Sequence, residues 1–283
     1  MPRLWNMKTV DPFTKSVGDS RSESAANPLA KLLWDCPDRR VIMVVSVLAS
    51  LLFIAILTLV LNPDGRLAQV MLDRRSPHFK YPFTIQNIEH VLLFLGLGEL
   101  FVRWRSACHE LSFVDKHLLP EDEETVLEGA DLGPIRKRVA KLFDKEHGIL
   151  PSLIDLSILQ FQSGRSIDQV VSVTNSNLEL VQHRMDLSYS LIRYIAWVIP
   201  TMGFIGTVIG IGSALASVPT TGEIKMDQLA HQLSTGFDCT VVALVESAIL
   251  VFVLHMVQEK EELSINYAGT YTLRNLINRL YSR

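Results

Sequence analysis

The chain has 283 residues, of which 48% are hydrophobic and 20% charged, and its formal net charge is −3. This near-neutral balance, without a basic tract, argues against a nucleic-acid partner. The three cysteines form no paired motif, and the eight histidines show no metal-ligand spacing. Because catalytic motifs are absent as well, we expect no metal, no cofactor and no enzyme activity.

Apolar residues are concentrated in blocks long enough to cross a bilayer. Residues 41–61 carry no charge, which predicts a first membrane span. The polar N-terminal arm before it, residues 1–40, ends in Arg39 and Arg40, and paired arginines favour the cytoplasmic side. Because this long polar arm precedes the first span, we interpret the span as an uncleaved signal anchor.

The second apolar block, residues 91–102, is short for a span and contains Glu99, although residues 83–88 can lengthen it. We predict that it crosses the membrane and that Glu99 pairs with Arg103, one helical turn later. The first two spans and their connecting loop then occupy residues 41–104.

The number of spans stays open between three and four. With four spans both termini are cytoplasmic, but the first outer loop then carries several basic residues, against the positive-inside bias. These residues are Arg66, Arg74, Arg75 and Lys80. With three spans the N-terminal arm lies outside, which conflicts with Arg39 and Arg40. We favour four spans.

Residues 105–193 are mostly polar, with apolar residues at helical spacing, which predicts a cytoplasmic helical region. Gly164 and Ser166 indicate a break followed by a new helix start, and no strong breaker follows before Pro200. We therefore expect one long helix that runs from Ser166 into the membrane.

The predicted third and fourth spans, residues 195–216 and 234–257, are joined by a short loop and form a hairpin at residues 194–257. Basic residues flank this hairpin, which places its loop outside and the tail, residues 258–283, in the cytoplasm. The predicted fold is an all-α integral membrane bundle of about four transmembrane helices, with long helices that extend into the cytoplasmic region.

Small and hydroxyl residues of the third span lie on or beside one helix face, where a neighbouring helix can approach closely. They are Gly203, Gly206, Gly210 and Thr207. Such a spacing by itself favours helix packing over a pore, because it often occurs by chance.

In the fourth span, Thr240 and Ser247 are seven residues apart and share a face. They either line a polar path or bond carbonyl groups of their own helix, and spacing alone favours the second reading. Glu246 lies on a different face at mid-span, where structural and conductive roles are equally open.

Two segments carry a resemblance to a known family. The run PTMGFIGTVIG, residues 200–210, resembles the first pore helix of the MotA/TolQ/ExbB proton channel family, in which a proline and a Gly-Thr-Val-x-Gly signature recur. The run CTVVAL, residues 239–244, resembles the next family helix with its Ala-Thr-Ala-x-Gly-Leu pattern, with Ala243 in place of the glycine. Glu246, Ser247 and Ile249 depart from the small residues and proline that are common after the matched threonine.

The resemblance implies roles for several of these residues. Thr207 and Thr240 would face the pore, Gly206 and Gly210 would permit close packing, and Pro200 would bend the third span. We assign the ion pathway to Thr207, Thr240, Ser247 and Glu246.

The resemblance also implies a function. The chain would be a multi-pass subunit of the bacterial inner membrane that conducts an ion, expected to be the proton, and converts ion-motive force into mechanical work. It would form a homo-oligomer in the lipid bilayer, expected to be a pentamer, around two copies of an ExbD/TolR/MotB-like single-span partner with a membrane aspartate. The alternatives are a non-conducting scaffold that recruits cytoplasmic partners, and a transporter gated by Glu246 or Glu99.

Overall fold

A computed structural model of the chain describes residues 38–74, 79–122, 125–143, 148–164, 166–218 and 226–281. Most of the predicted arm at residues 1–40, and most of the loop between the last two spans, lie outside these ranges. Within them every regular element is helical, and an isolated bridge joins Leu127 to Leu280.

The helices follow in chain order. They are α1 (Arg39–Val60), α2 (Arg66–Leu72), α3 (Ile85–Ser112), α4 (Gly129–Val139), α5 (Ile149–Gly164), α6 (Ile167–Ser188), α7 (Ser190–Ala216) and α8 (Met226–Asn275), with 3-10 turns at Val114–Lys116 and Ile277–Arg279.

Four stretches of the described chain are long and apolar enough to cross a membrane. They are Arg39–Val60, Ile85–Lys116, Ile167–Ala216 and Leu229–Arg279. The prediction of an all-α membrane bundle is confirmed, and the second apolar block belongs to a helix of spanning length.

Helix α1 buries two serines and two isoleucines against the bundle, whereas most of its large apolar side chains point outwards. Ser46 and Ser50 are buried, whereas Leu52 is 62% exposed and Leu59 is 86% exposed. A Cβ atom on Gly98 of α3 would lie 1.9 Å from Ser46 Oγ, so the two helices are in close contact. The outward leucines form the kind of surface that hydrocarbon chains cover.

The predicted pair between Glu99 and Arg103 is wrong. Glu99 Oε2 accepts a hydrogen bond from Arg39 Nε of α1 at 2.9 Å, and Arg103 Nη1 reaches the two carboxylate oxygens of Glu261 of α8 at 3.1 and 3.2 Å. A pair within one helix contributes only about 0.2–0.5 kcal/mol. The partner on the neighbouring helix is favoured because the Arg39 guanidinium offsets the cost of burying the Glu99 side chain, which is 2% exposed.

Two basic residues of the first loop fold back onto the bundle. Arg66 Nη2 lies 2.9 Å from Asp238 Oδ1 of α8, and its Nη1 donates to Ser234 Oγ at 2.9 Å. Arg74 donates to the carbonyl of Thr58 at the end of α1. Because Asp238 balances the charge of Arg66, the loop presents less free positive charge than the sequence suggested.

The predicted long helix is present with one interruption, because α6 and α7 are separated only by Tyr189. The Tyr189 hydroxyl donates to Glu261 Oε2 at 2.7 Å, and the guanidinium of Arg103 lies 4.6 Å from the centre of its ring. Arg103, Tyr189 and Glu261 therefore join α3, the α6–α7 junction and α8 at one level of the bundle.

Beyond this junction, α4, α5, α6 and the end of α8 form a second apolar core, which we call the helical extension. Its fully buried side chains include Leu132, Leu150, Leu153, Ile154, Ile158 and Leu276. Glu110 accepts from the backbone N–H groups of Gly148 and Ile149, both at 2.7 Å, and so supplies acceptors at the start of α5. Residues 258–283, assigned above to the tail, contribute the last turns of α8 to this core.

The C-terminal end is fixed to the segment that precedes α4. Leu127 N–H donates to the Arg279 carbonyl at 2.8 Å, and Tyr281 N–H donates to the Leu127 carbonyl at 3.2 Å. Nearby, the hydrogen bond from His117 holds the pKa of the Glu121 carboxyl below its usual value. This carboxylate is therefore ionised at neutral pH and accepts the hydroxyl of Tyr271 at 3.1 Å.

We predict that Arg103→Ala destabilises the protein by about 3 kcal/mol, because it leaves the Glu261 carboxylate largely enclosed without its cation. The Arg103 and Glu261 side chains are 14% and 16% exposed, respectively. Unfolding in mixed micelles of increasing denaturing-detergent content measures this loss. The control is Arg136→Ala, which breaks a more exposed ion pair with Asp155. It should cost less than about 1 kcal/mol, and equal losses in the two variants would contradict the prediction.

Candidate functional site

The backbones of α7 and α8 come into contact along the glycine face. A Cβ on Gly210 would lie 2.7 Å from the Cα of Gly236, and a Cβ on Gly203 would lie 2.5 Å from the Cβ of Ala243. Atoms of this kind do not approach so closely, so a larger residue at either glycine would push the helices apart. The close contact brings the side chains of Thr207 and Thr240 together.

The two threonines bond across the hairpin. Thr207 Oγ1 of α7 lies 2.8 Å from the Gly236 carbonyl oxygen of α8 and 3.3 Å from the Gly203 carbonyl oxygen of its own helix, and Thr240 Oγ1 of α8 lies 2.8 Å from the Gly203 carbonyl oxygen of α7. The two hydroxyl oxygens are also within hydrogen-bond reach of each other. The own-helix alternative considered for Thr240 is wrong, because the opposite backbone is close enough to accept its proton. Both threonine side chains are partly exposed.

Ser247 compensates for the missing N–H group of Pro200. A proline inside a helix leaves the carbonyl four residues earlier without its usual donor. That carbonyl belongs to Ala196, and Ser247 Oγ of α8 donates to it at 3.1 Å. The own-helix alternative is therefore wrong for Ser247 as well, and α7 continues through Pro200 without interruption.

Glu246 lies away from the threonines, against α3. Its carboxyl Oε1 is hydrogen-bonded to Nδ1 of His90, and His90 Nε2 lies 3.0 Å from the carbonyl oxygen of Met71. A carbonyl only accepts, so Nε2 carries a hydrogen. The pair is then either an imidazolium with a carboxylate or a neutral imidazole with a carboxylic acid. Of the proposed pathway residues, Thr207 and Thr240 are brought together, whereas Glu246 faces another helix.

Glu89 and Gln86 are buried polar residues that the sequence reasoning missed. Glu89 is 0% exposed and Gln86 is 1% exposed, one turn apart on α3. The sequence feature that could have revealed them is the dipeptide Glu89-His90 directly before the apolar block. A charged side chain beside a span is costly unless it is paired or faces a polar cavity. The sequence did not indicate that this dipeptide lies inside the bundle.

A small cavity lies between α3, α7 and α8. The volume accessible to water-sized molecules is about 30 Å³. One water needs about 10–15 Å³ on this measure, so the cavity has room for about two. Its polar lining comes from both hairpin helices, α3 and the segment after α2. The polar lining residues are Asp73, Gln86, Ser213, Gln232 and Thr235.

Large apolar side chains cover the outward faces of the hairpin. On α7, Trp197 and Phe204 are exposed, and on α8, Val241, Leu244 and Phe252 are exposed. Within a membrane such faces contact lipid or other apolar helices.

The family comparison matches the segment that contains this hairpin. Residues 145–267 match the MotA/TolQ/ExbB proton channel family, which confirms the resemblance given by the two sequence runs. This is a family of channel and transport proteins and not of enzymes. Comparisons with curated proteins and with solved structures gave no match.

We predict that Gly210→Ala destabilises the hairpin by about 1–3 kcal/mol, because the added methyl group meets the backbone of Gly236 and cannot be avoided by a side-chain rotation. The matched control is Gly212→Ala on the same helix, where an added Cβ has no neighbour within 4 Å among the described residues. It should be neutral or stabilising by up to about 1 kcal/mol. Unfolding in mixed micelles compares the two, and an equal response would argue against close backbone contact.

Proposed function

We propose that the chain, a membrane subunit of the proton-channel type by the family match of residues 145–267, uses ion-motive force to produce mechanical work. It acts in the bacterial inner membrane as a ring, by family implication a pentamer, around two copies of a single-span partner of the ExbD/TolR/MotB type. The partner carries the aspartate that binds the ion, which we take to be the proton. The observation that carries the proposal is the pairing of Thr207 with Thr240 inside the matched segment.

The bonding of the threonines suits a surface that receives a protonated carboxyl group. Each hydroxyl has one proton and two lone pairs. One of the two hydroxyl protons joins Thr207 to Thr240 and the other bonds a backbone carbonyl, which leaves at least one acceptor lone pair on each partly exposed oxygen. A protonated aspartic acid donates to such an acceptor, whereas an ionised one does not. The pair therefore favours the partner's aspartate in its protonated state.

The apolar outward faces of α7 and α8 support assembly with further helices. A ring of subunits around two central helices needs one face towards the partner and others towards neighbouring subunits. Phe204 and Val208 of α7 and Leu244 of α8 are each more than half exposed and suit helix contacts in a membrane.

The available energy is sufficient for mechanical work. Each elementary charge that crosses the membrane releases about 2.3 kcal/mol per 100 mV. A few transfers therefore exceed the free energy of a typical side-chain rearrangement between two packed helices.

The central test is proton flux in liposomes that contain the chain together with its partner. Thr240→Val removes the hydroxyl but keeps the shape of the side chain, so we expect flux to fall towards the background of empty liposomes. A pH-sensitive dye inside the liposomes measures the flux.

The matched control is Thr201→Val, because Thr201 donates to the Trp197 carbonyl of its own helix and lies outside the threonine pair. We expect its flux to remain near that of the unmodified chain. Replacement of the partner's membrane aspartate by asparagine should abolish flux. Unchanged flux in Thr240→Val, or in the partner variant, would overturn the proposed mechanism.

A non-conducting scaffold is the second candidate, and one observation favours it. The hydroxyl protons of Thr207, Thr240 and Ser247 are all used to join α7 to α8, as helix packing alone requires. The scaffold predicts assembly with partners but no flux above background in the same liposomes.

A transporter gated by a carboxylate is the third candidate, favoured by the burial of Glu246 beside His90. It predicts that Glu246→Gln abolishes flux and that the single-span partner is dispensable. The flux assay without the partner therefore separates it from the motor.

A further inference from the structure

A group of ionisable side chains is buried where α3 meets α8, apart from the threonine pair. Glu89 and His90 are 0% exposed, and Glu246 is 6% exposed. A charged side chain in such a place is expensive unless an opposite charge or several hydrogen bonds compensate it. The compensation here is incomplete.

Several polar atoms of this group have no hydrogen-bond partner among the described residues. They are both carboxyl oxygens of Glu89, Oε2 of Glu246 and both amide atoms of Gln86. Elsewhere in the bundle a buried carboxylate is satisfied, since Glu99 has Arg39 and Glu110 has two backbone N–H groups. The oxygens of Glu89 and Glu246 therefore suit a ligand that the polypeptide does not supply.

The surroundings add acidic groups near Glu89. Glu246 of α8 lies within electrostatic range of Glu89, and Asp73 of the segment after α2 and Cys239 of α8 line the cavity that Gln86 also lines. On the side of α1, the ring of Phe53 lies edge-on to His90 with 5.5 Å between the ring centres. Among these neighbours His90 is the group that can become a cation, and it is already bonded to Glu246. The net charge of Glu89, His90 and Glu246 together is zero when the Glu89 carboxyl is protonated and His90 and Glu246 share one further proton.

We propose that Glu89, His90 and Glu246 form a proton-binding site inside the subunit, in which Glu89 is a neutral carboxylic acid at neutral pH and His90 shares a second proton with Glu246. Loading is a simple proton transfer. A hydronium ion gives its proton to the Glu89 carboxylate, which yields the carboxylic acid and one water molecule.

The cavity between α3, α7 and α8 gives this site a source of water. Gln86 lines the cavity and precedes Glu89 by three residues on α3, so the two side chains lie on the same helix face. The amide of Gln86 has a free donor and a free acceptor within the described structure, and both can bond to water. A water molecule held by Gln86 and the polar lining would then lie about one helical turn from Glu89.

The proposal does not depend on a ring, a partner or proton flux. It concerns a protonation state, which infrared spectroscopy reads in the full chain alone. In a detergent without ester groups, a protonated carboxyl shows a carbonyl stretch separate from the carboxylate bands. We expect this band at neutral pH and expect it to lose its Glu89 component in Glu89→Gln, in which the amide imitates the shape of the neutral acid.

Two controls make the assignment specific. Glu99→Gln alters another buried glutamate of α3, which has the cation Arg39 at 2.9 Å, so the acid band should be unchanged. Labelling of the unmodified chain with ¹³C-glutamate should shift the band to lower frequency, which tests the assignment even if Glu89→Gln fails to fold.

Several results would overturn the proposal. They include an absent acid band at neutral pH, a band that persists in full in folded Glu89→Gln, and a band that does not respond to the glutamate label. A band that sodium chloride removes at constant pH would also overturn it, since Glu89 would then bind the cation in its ionised form.

Discussion

The contact between the backbones of α7 and α8 is the constraint on which the site depends. At Gly210 and Gly236 the two helices leave no room for a side chain, and this closeness brings each threonine hydroxyl to the carbonyl of the opposite helix. The glycines therefore determine both the packing and the chemistry of the hairpin.

The buried polar groups of the bundle fall into two classes. Some have a hydrogen-bond partner. The Ala196 carbonyl, for example, accepts a hydrogen bond from Ser247, because Pro200 has no N–H group to donate to it. Others, above all Glu89, are enclosed without a partner in the described structure. In a membrane, where water does not replace a missing hydrogen bond, the first kind holds helices together, and the second kind is where we propose that a proton binds.

The four spans and the hairpin are predictable because block length and turn residues are local properties of the chain. The pairing of Glu99 with Arg103 was wrong because it used spacing along one helix, whereas Arg39 is the partner that reaches Glu99. The bonds of Ser247 and the burial of Glu89 depend on which helix faces which, and a single sequence does not contain that information. The threonine pair was found through the family pattern and not through periodicity.

Because α8 is long and uninterrupted, a small tilt of the helix at one end displaces its other end. The helix has 50 residues from Met226 to Asn275, and Gly236 lies near its N-terminal end. At 1.5 Å per residue, the distance from Gly236 to the far end is about 58 Å, so each degree of tilt about that contact displaces the far end by about 1 Å. A small change of angle at the glycine contact would thus become a displacement of several ångströms in the helical extension.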